Sequence, residues 1–159
     1  MSKEKIKPVP KSIPNISCYL TVKNTSKAIE FYVNVFGGKE KGRLTMPDGS
    51  IAHAEVKIGD SVVWLADENA EWGNQSPESL NGTPVALALY VKNVDKIFDK
   101  ALKAGAKELT KVQDQFYGDR SGTLLDPFGH KWMISTQIEI VSFKKMQKRM
   151  EKLFGDSEV

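Results

Sequence analysis

Few side chains in this sequence have both the type and the spacing that catalysis requires. His53 and Glu55 are separated by one residue within an alternating stretch, so both would lie on one face of a β-strand. An imidazole and a nearby carboxylate can form a general acid–base pair. The same spacing is also typical of a solvated strand face that continues to Lys57, since spacing alone supplies no partner. Both interpretations remain open.

A second group of chemically capable side chains consists of Tyr117, Asp119 and Arg120. At the entry to a strand, the guanidinium of Arg120 could bind a carboxylate or phosphate of a substrate. Asp119 and Arg120 could equally hold their own loop through mutual or backbone hydrogen bonds. His130 follows the turn sequence "DPFG", where we expect a surface imidazole.

Nucleophilic and phosphate-binding chemistry is not supported. Cys18 is the sole cysteine, which excludes an internal disulfide, and strand alternation predicts that it is a buried, inert thiol. The stretch "GDRSG" lacks the lysine and the spacing of a phosphate-binding loop.

An internal repeat predicts the elements that position these residues. The segments "LTVKN" (20–24) and "LYVKN" (89–93) recur at an offset of 69. Each precedes a helical pattern that starts at an asparagine cap, Asn24 (or Thr25) and Asn93, and stops at a glycine, Gly37 and Gly105. Strands joined by turn signals follow each helix, so each half is predicted as strand, helix and three strands.

The domain organisation follows from the repeat. We predict a basic amino-terminal tail at 1–12, one domain at 13–137 and a carboxyl-terminal helix and tail at 138–159. Within the domain, modules 13–67 and 82–137 are joined by a polar loop at 68–81.

Composition and charge exclude several function classes. The formal net charge of +3 comes from the two ends of the 159-residue chain, so the middle carries no basic surface for nucleic acid. No signal peptide and no run of about 18 apolar residues is present, which predicts a soluble, cytoplasmic protein that binds no membrane.

The carboxyl-terminal helix is predicted to be amphipathic and basic, capped by Ser142 and ended by Gly155. We expect it to pack on its own domain or on a sister subunit rather than on a membrane. Its apolar stripe comprises Phe143, Met146, Met150 and Leu153, and its basic residues are Lys144, Lys145, Lys148, Arg149 and Lys152.

Two segments carry a resemblance to a known family. The helix "AIEFYVNVFGG" and the hairpin "YGDRSGTLLDPFGHKWMIST" resemble the glyoxalase, bleomycin-resistance and extradiol-dioxygenase (vicinal oxygen chelate) superfamily, and the hairpin is similar to its PhnB-like branch, with Tyr117 in place of the more usual tryptophan. The resemblance covers about residues 13–137. It implies an α+β fold of two tandem βαβββ modules whose paired sheets form a cleft, and a homodimer.

Enzymes of that superfamily hold a divalent metal with His, Gln or Glu on the first and last strands of each module. The matching positions here carry Ser17 and Ala86 on the first strands and Val63 and Met133 on the last. These side chains cannot replace the water shell of a divalent ion. We therefore predict no metal and no cofactor.

Strand alternation predicts what fills the cleft instead. The residues on the face of the former ligand positions are mostly apolar, with two phenols for a flat organic ligand. The predicted cleft residues are Ser17, Tyr19, Thr21, Val63, Leu65, Ala86, Ala88, Tyr90, Met133 and Ser135. The opposite, core-facing set is Cys18, Leu20, Val22, Trp64, Leu87, Leu89, Val91, Trp132 and Ile134.

Two functional classes follow, and the sequence leaves open whether the protein is an enzyme. The first is a metal-free module that binds a small organic molecule, such as a resistance-type sequestering protein. The alternative is a lyase, isomerase or dioxygenase of the same superfamily, either metal-free or with metal ligands elsewhere. Its catalytic candidates are His53, Glu55, Tyr117, Asp119 and Arg120.

Overall fold

The computed structural model describes residues 8–11 and 13–155. The chain divides into two compact units, one ending at Asn81 and the other beginning at Gly82. Each unit repeats the predicted order of strand, helix and three strands, which confirms the α+β class. The predicted amino-terminal tail lies outside the described residues except for 8–11, and so does the tail at 156–159.

The first unit contains one four-stranded mixed sheet. Its strand order is β1-β4-β3-β2, with β1 parallel to β4 and the other neighbours antiparallel. Its elements are β1 (Cys18–Val22), α1 (Thr25–Phe36), β2 (Lys39–Thr45), β3 (Ile51–Ile58), β4 (Ser61–Asp67), a 3₁₀ turn (Ala70–Trp72) and α2 (Pro77–Leu80).

The second unit repeats this topology. Its strand order is β5-β8-β7-β6, with β5 parallel to β8 and the other neighbours antiparallel. Its elements are β5 (Ala86–Tyr90), α3 (Val94–Lys103), β6 (Lys107–Asp114), β7 (Asp119–Leu125), β8 (Lys131–Gln137) and α4 (Phe143–Phe154).

The two long helices begin at the predicted asparagines. Asn24 Oδ1 accepts from the backbone N–H of Lys27 at 3.0 Å, and Asn93 Oδ1 accepts from that of Lys96 at 3.0 Å. Helix α1 ends at Gly37, whose φ of 70° is the left-handed conformation that glycine adopts without strain. Helix α3 ends one residue before the expected glycine, because Ala104 is its C-cap.

Each helix covers one face of its own sheet. Helix α1 packs on the first sheet and α3 on the second. The face of each sheet turned away from its helix is called the open face, although Asp119, Ser121 and Ser135 on that face of the second sheet are buried. Fully burying an aliphatic side chain stabilises the fold by about 1.5–3 kcal/mol. The helix-covered core of the first unit includes Leu20, Val22, Tyr32, Ala54, Val56, Val63 and Leu65, and that of the second includes Val94, Phe98, Leu124, Trp132 and Ile134.

The pairing of β1 with β4 corrects part of the predicted cleft face. Tyr19 pairs with Trp64, and Leu20 pairs with Leu65. Paired residues share a face, so Val63 (7% exposed) and Leu65 (0%) lie under the helix and not on the face of Tyr19. Trp64, predicted for the core, lies on the open face. The predicted positions Val63 and Met133 are 70 residues apart, whereas the strand pairing puts Trp64, which is 69 residues before Met133, at the equivalent place.

The polar segment after the first sheet is more ordered than the predicted loop. Besides the 3₁₀ turn and α2, it has a bridge between Asn69 and Asn74. Glu68 Oε2 accepts from the Ser76 N–H at 3.0 Å and from the Ser79 hydroxyl at 2.7 Å. These serine hydrogen bonds lower the pKa of Glu68 to about 2.

The carboxyl-terminal helix α4 has the predicted cap, because Ser142 Oγ accepts from the Lys145 N–H at 3.3 Å. Glu139 and the carbonyl of Phe116 hold Arg149 on the second unit. No residue of α4 is buried, and Phe143 is 88% exposed. Polar contacts therefore help to attach α4, and three members of its apolar stripe, Phe143, Met150 and Leu153, are exposed.

None of the helices in the described part of the chain is long and apolar enough to cross a membrane.

Candidate functional site

The open face of the first sheet carries a cluster of three rings. Tyr19, His53 and Trp64 come from three neighbouring strands, with ring centroids 5.8 Å apart for Tyr19–His53, 6.1 Å for Tyr19–Trp64 and 5.6 Å for His53–Trp64. Edge-to-face and tilted arrangements at these distances stabilise aromatic pairs by about 0.5–1.5 kcal/mol beyond area burial. The cluster therefore forms a preformed aromatic surface.

His53 and Glu55 belong to the same face. Nε2 of His53 lies 3.4 Å from Oε1 of Glu55, and each side chain is about a third exposed. The predicted imidazole–carboxylate pair is thus present in the structure, and the face on which it lies is the open one. The phenol of Tyr19 donates a long hydrogen bond, 3.4 Å, to the carbonyl oxygen of Ala52.

A groove of about 400 Å³ lies beside this pair, over the paired strands β2 and β3. Gly42 pairs with Glu55 and Leu44 pairs with His53, so both belong to the open face. Nothing lies within 4 Å of the place where a side chain on Gly42 would begin. The glycine therefore leaves the groove open beside Glu55. The residues that line the groove are Lys41, Gly42, Arg43, Leu44, His53 and Glu55.

Two polar atoms near this surface have no hydrogen-bond partner in the described structure. They are the indole Nε1 of Trp64 and the hydroxyl oxygen of Ser17, which stands two residues before Tyr19. A buried donor without an acceptor costs about 1–3 kcal/mol. An acceptor supplied by a bound molecule would remove that cost at Trp64.

The open face of the second sheet keeps the predicted membership. Ala86, Ala88 and Tyr90 of β5 pair with Lys131, Met133 and Ser135 of β8. The hydroxyl of Tyr90 donates to Oδ2 of Asp119 at 2.6 Å. This hydrogen bond, reinforced by burial, raises the pKa of the Tyr90 phenol.

Of the candidates on β7 and the turn before it, Tyr117 and Asp119 lie near one another and Arg120 does not join them. The hydroxyls of Tyr117 and Ser121 are 3.1 Å apart. Arg120 binds Asp95 of α3 at 2.7 and 2.8 Å and Asp114 at 2.9 Å, on the helix side of the sheet. The guanidinium of Arg120 therefore holds α3 and β6 to β7 in the structure, which is a local structural role.

The superfamily's metal positions do not fit a divalent ion. Ser17, Ala86 and Met133 remain the residues at three of the predicted metal positions. At the fourth, the β1–β4 pairing puts Trp64 where Val63 was expected. This set offers one neutral hydroxyl as an oxygen donor, whereas divalent ions take several charged oxygen or imidazole ligands. Among the described residues, no group of three or more His, Cys, Asp or Glu side chains could hold a metal.

Cys18 and His130 complete the predicted candidates. Cys18 is exposed, so the prediction of a buried thiol is wrong, because the residue stands at the outer end of β1. The backbone N–H of His130 donates to Oδ1 of Asp126 at 2.9 Å within the turn before β8. Neither residue belongs to the ring cluster or the groove.

The sequence interpretation missed five residues of this site, namely Trp64 and the β2 residues Lys41, Gly42, Arg43 and Leu44. Trp64 could have been found by keeping the offset of 69 through β4, because 64 plus 69 gives 133, the position of Met133 on the equivalent face. Gly42 and Leu44 carry no such signal. Their place depends on the β2–β3 pairing, which contains register shifts.

Comparison with known proteins places this geometry in context. The family model described as "Glyoxalase/Bleomycin resistance protein/Dioxygenase superfamily" matches residues 13–134. An uncharacterised protein of Mycobacterium tuberculosis (strain ATCC 25618 / H37Rv) is 41% identical over 140 residues, 86% of this chain and 82% of that protein.

Two further relatives carry names. The metallothiol transferase FosB of Lysinibacillus sphaericus is 28% identical over 134 residues, 82% of this chain and 89% of the relative. The crystal structure of TioX from Micromonospora sp. ML1 superposes with a TM-score of 0.61 at 25% identity, covering 78% of this chain and 98% of TioX. The assignment to a PhnB-like branch stays a prediction.

Proposed function

Because the chain belongs to the glyoxalase/bleomycin resistance protein/dioxygenase superfamily, we propose that it binds a small organic molecule without a metal ion. The binding surface is the open face of the first sheet. The ligand has a flat ring and a hydrogen-bond acceptor such as a carbonyl. Binding, as in a resistance-type sequestering protein, is its main activity.

The observation that carries this proposal is the ring cluster with its unpartnered indole N–H. Tyr19, His53 and Trp64 present aromatic surface on which a ring can stack. The indole Nε1 of Trp64 is buried and lacks an acceptor among the described residues, so a ligand reaches it by displacing the side chains that cover it. An apolar surface with one directed donor is how small-molecule sites combine affinity with orientation.

The donor chemistry of the family's metal positions also supports binding over metal-assisted turnover. A metal enzyme polarises a carbonyl through its ion. Ser17, Ala86 and Met133 offer no ligand set for one, and Trp64 adds a donor group that cannot coordinate a cation. The relative named a metallothiol transferase is only 28% identical, so its named activity is not carried over.

The proposal is tested with the indole signals of the protein. The full chain, labelled with ¹⁵N, is titrated with indole-3-carboxaldehyde as an aromatic carbonyl probe. We expect the Trp64 Nε1–H resonance to move downfield as it gains an acceptor. The Trp132 resonance should stay, because its Nε1 already donates to Asp126 Oδ2 at 2.9 Å.

A groove-filling variant supplies the matched control. Gly42→Leu places a side chain where nothing lies within 4 Å, in a backbone conformation without strain, so the variant should fold and lose binding. Asn34→Leu adds the same side chain to the exposed side of α1 and should bind as the parent does. Unchanged binding in Gly42→Leu, or equal movement of all tryptophan signals, would contradict the proposal.

Catalysis by His53 and Glu55 is the second candidate function. The observation that favours it is the 3.4 Å contact between Nε2 of His53 and Oε1 of Glu55 at the wall of the groove. A histidine oriented by a carboxylate can accept a proton from a bound substrate. This candidate uses the same surface, so the two functions differ in whether the bound molecule is changed.

A further inference from the structure

Lys41 is an exposed cation that lines the groove over β2 and β3. It has no ion-pair partner in the described part of the chain. Glu40 and Gly42 pair with adjacent residues of β3, so Lys41 is the extra residue of a β-bulge. A bulge turns the extra side chain out of the regular alternation of a strand, and here Lys41 lines the groove beside Gly42. Its ammonium group is therefore available to a bound molecule.

The other charged side chains of the groove already have partners. Arg43 donates from Nε and Nη2 to the carboxylate of Glu40 at 2.6 and 2.8 Å, and from Nη1 to Ser26 Oγ of α1 at 3.0 Å. Glu55 Oε1 lies 3.4 Å from Nε2 of His53. Of the charges that line the groove, the ammonium of Lys41 is thus the one left for a ligand.

The groove also has room beside this ammonium. Its volume of about 400 Å³ lies within the range of small-molecule sites. Gly42, the neighbour of Lys41, has nothing within 4 Å of the place where a side chain would begin. His53 belongs both to the ring cluster and to the groove wall. A ring that stacks on the cluster therefore directs a substituent into the groove.

We propose that the ligand of the first-sheet face is an aromatic molecule with an anionic group such as a carboxylate, and that Lys41 selects it. The carboxylate accepts a charge-assisted hydrogen bond from Lys41 Nζ. A cationic group in the same place is repelled by the ammonium. This inference rests on the function proposed above and names the chemical class of its ligand.

The selectivity should be modest, because Lys41 is exposed to solvent. An exposed ion pair changes a binding constant by about fivefold at most. The preference for the anion should also shrink as the salt concentration rises from about 0.05 to 0.5 M, because salt screens exposed charges.

Three probes that share the indole ring test this class. They are indole-3-carboxylate, the neutral indole-3-carboxaldehyde and the cationic indol-3-ylmethylamine. Each is titrated at pH 7 into the full ¹⁵N-labelled chain, and its Kd is taken from the backbone amide shifts of β2 and β3. We expect the carboxylate to bind most tightly and the amine most weakly. The quantity compared between variants is the Kd of the aldehyde divided by that of the carboxylate, because a change in groove shape affects both probes alike.

Variants of two lysines on the same strand isolate the charge of Lys41. Lys41→Met keeps an unbranched side chain and removes the charge, so the ratio should fall from about five to about one. Lys41→Arg keeps a cation and should keep a ratio above one. Lys39→Met removes an equal charge from an exposed position of β2 outside the groove, and it should show the ratio of the parent.

Three results would overturn the inference. They are equal affinity of the parent for the carboxylate and the aldehyde, tightest binding of the amine, and a ratio in Lys41→Met equal to that of the parent. Each of them leaves the function proposed above in place, because a ring compound still binds to the first sheet. If none of the probes shifts the amides of β2 and β3, the proposed function and this inference both fail.

Discussion

At the scale of single residues, the two open faces differ in what they leave unsatisfied. The first face has an unused donor, the indole N–H of Trp64, beside aromatic rings. On the second, the buried hydroxyl of Ser135 has no hydrogen-bond partner among the described residues, and Asp119 accepts from the Tyr90 phenol. These atoms, rather than the charged residues that first attract attention in the sequence, distinguish the chemistry of the two surfaces. Arg120 illustrates the contrast, because each of its three guanidinium nitrogens donates to Asp95 or Asp114.

The prediction at this scale concerns the effect of Glu55 on ligand binding. Glu55→Gln keeps the size of the side chain and a hydrogen-bonding group near His53 Nε2. For binding of a neutral ring we expect the Kd to change by no more than about threefold, as for other partly exposed substitutions. The measurement is the Trp64 titration with indole-3-carboxaldehyde, repeated on the variant.

The same samples decide between binding and turnover. Each is kept with the probe and followed by proton NMR for resonances of a new compound. A product that forms with the parent protein, and fails to form with Glu55→Gln while the Kd is unchanged, would replace the binding function with catalysis by His53 and Glu55.

At the scale of elements, α4 is attached through a network of polar contacts centred on Glu139. Glu139 accepts from Lys145 Nζ at 2.6 Å and from the Arg149 guanidinium at 2.8 and 2.9 Å, and Arg149 also donates to the carbonyl of Phe116. The hydrogen bonds from Arg149 and then Lys145 lower the pKa of Glu139 to about 2. The carboxylate of Glu139, just after β8, therefore holds two successive turns of α4.

The attachment of α4 should depend on Glu139 and on pH in a defined direction. A carboxylate whose folded pKa lies below its unfolded value of 4.5 contributes stability above pH 4.5, and this contribution is lost as the pH falls towards 2. Glu139→Gln should therefore raise amide exchange in 143–154 at neutral pH, measured by mass spectrometry. In the parent, protection of this segment should fall between pH 4.5 and 2.

Glu151→Gln is the control for that experiment. Glu151 is on the same helix, and its Oε1 accepts from Gln147 Nε2 at 2.9 Å, away from Glu139 and Arg149. Its substitution removes an equal charge without touching the anchor. Equal exchange of the helix in Glu139→Gln and in the parent would show that Glu139 does not hold α4.

At the scale of the whole molecule, the exposed stripe of α4 remains to be explained. Phe143, Leu153 and Phe154 are exposed, and Ile138 and Ile140 lead into the helix with exposed side chains. Contiguous apolar surface of this kind commonly marks a protein–protein contact. A second copy of the chain is the partner that the superfamily resemblance implies.

We therefore predict a homodimer that α4 stabilises. Light scattering at micromolar concentration should give twice the chain mass of 17.7 kDa. Phe143→Ser with Leu153→Ser should shift the equilibrium towards monomer, because both side chains lose apolar contact area. Lys148→Ser is the control from the charged side of the helix. A parent protein of monomeric mass would show that this prediction is wrong.

The sequence alone determined the local and repeated features of this protein. The 69-residue repeat predicted two modules, and the asparagine caps and apolar spacing predicted α1 and α3, because caps and periodicity act over a few residues. The same alternation correctly grouped Ala86, Ala88, Tyr90, Met133 and Ser135 on one face.

The tertiary structure decided what depends on contacts between distant segments. The pairing of β1 with β4 set which face Trp64 occupies, and alternation within β4 could not, because a shift of one residue exchanges the two faces. Arg120 found its partner Asp95 across 25 residues, and Tyr90 found Asp119 across 29. No local pattern encodes such pairs, since they form only when strands and helices have packed into one unit.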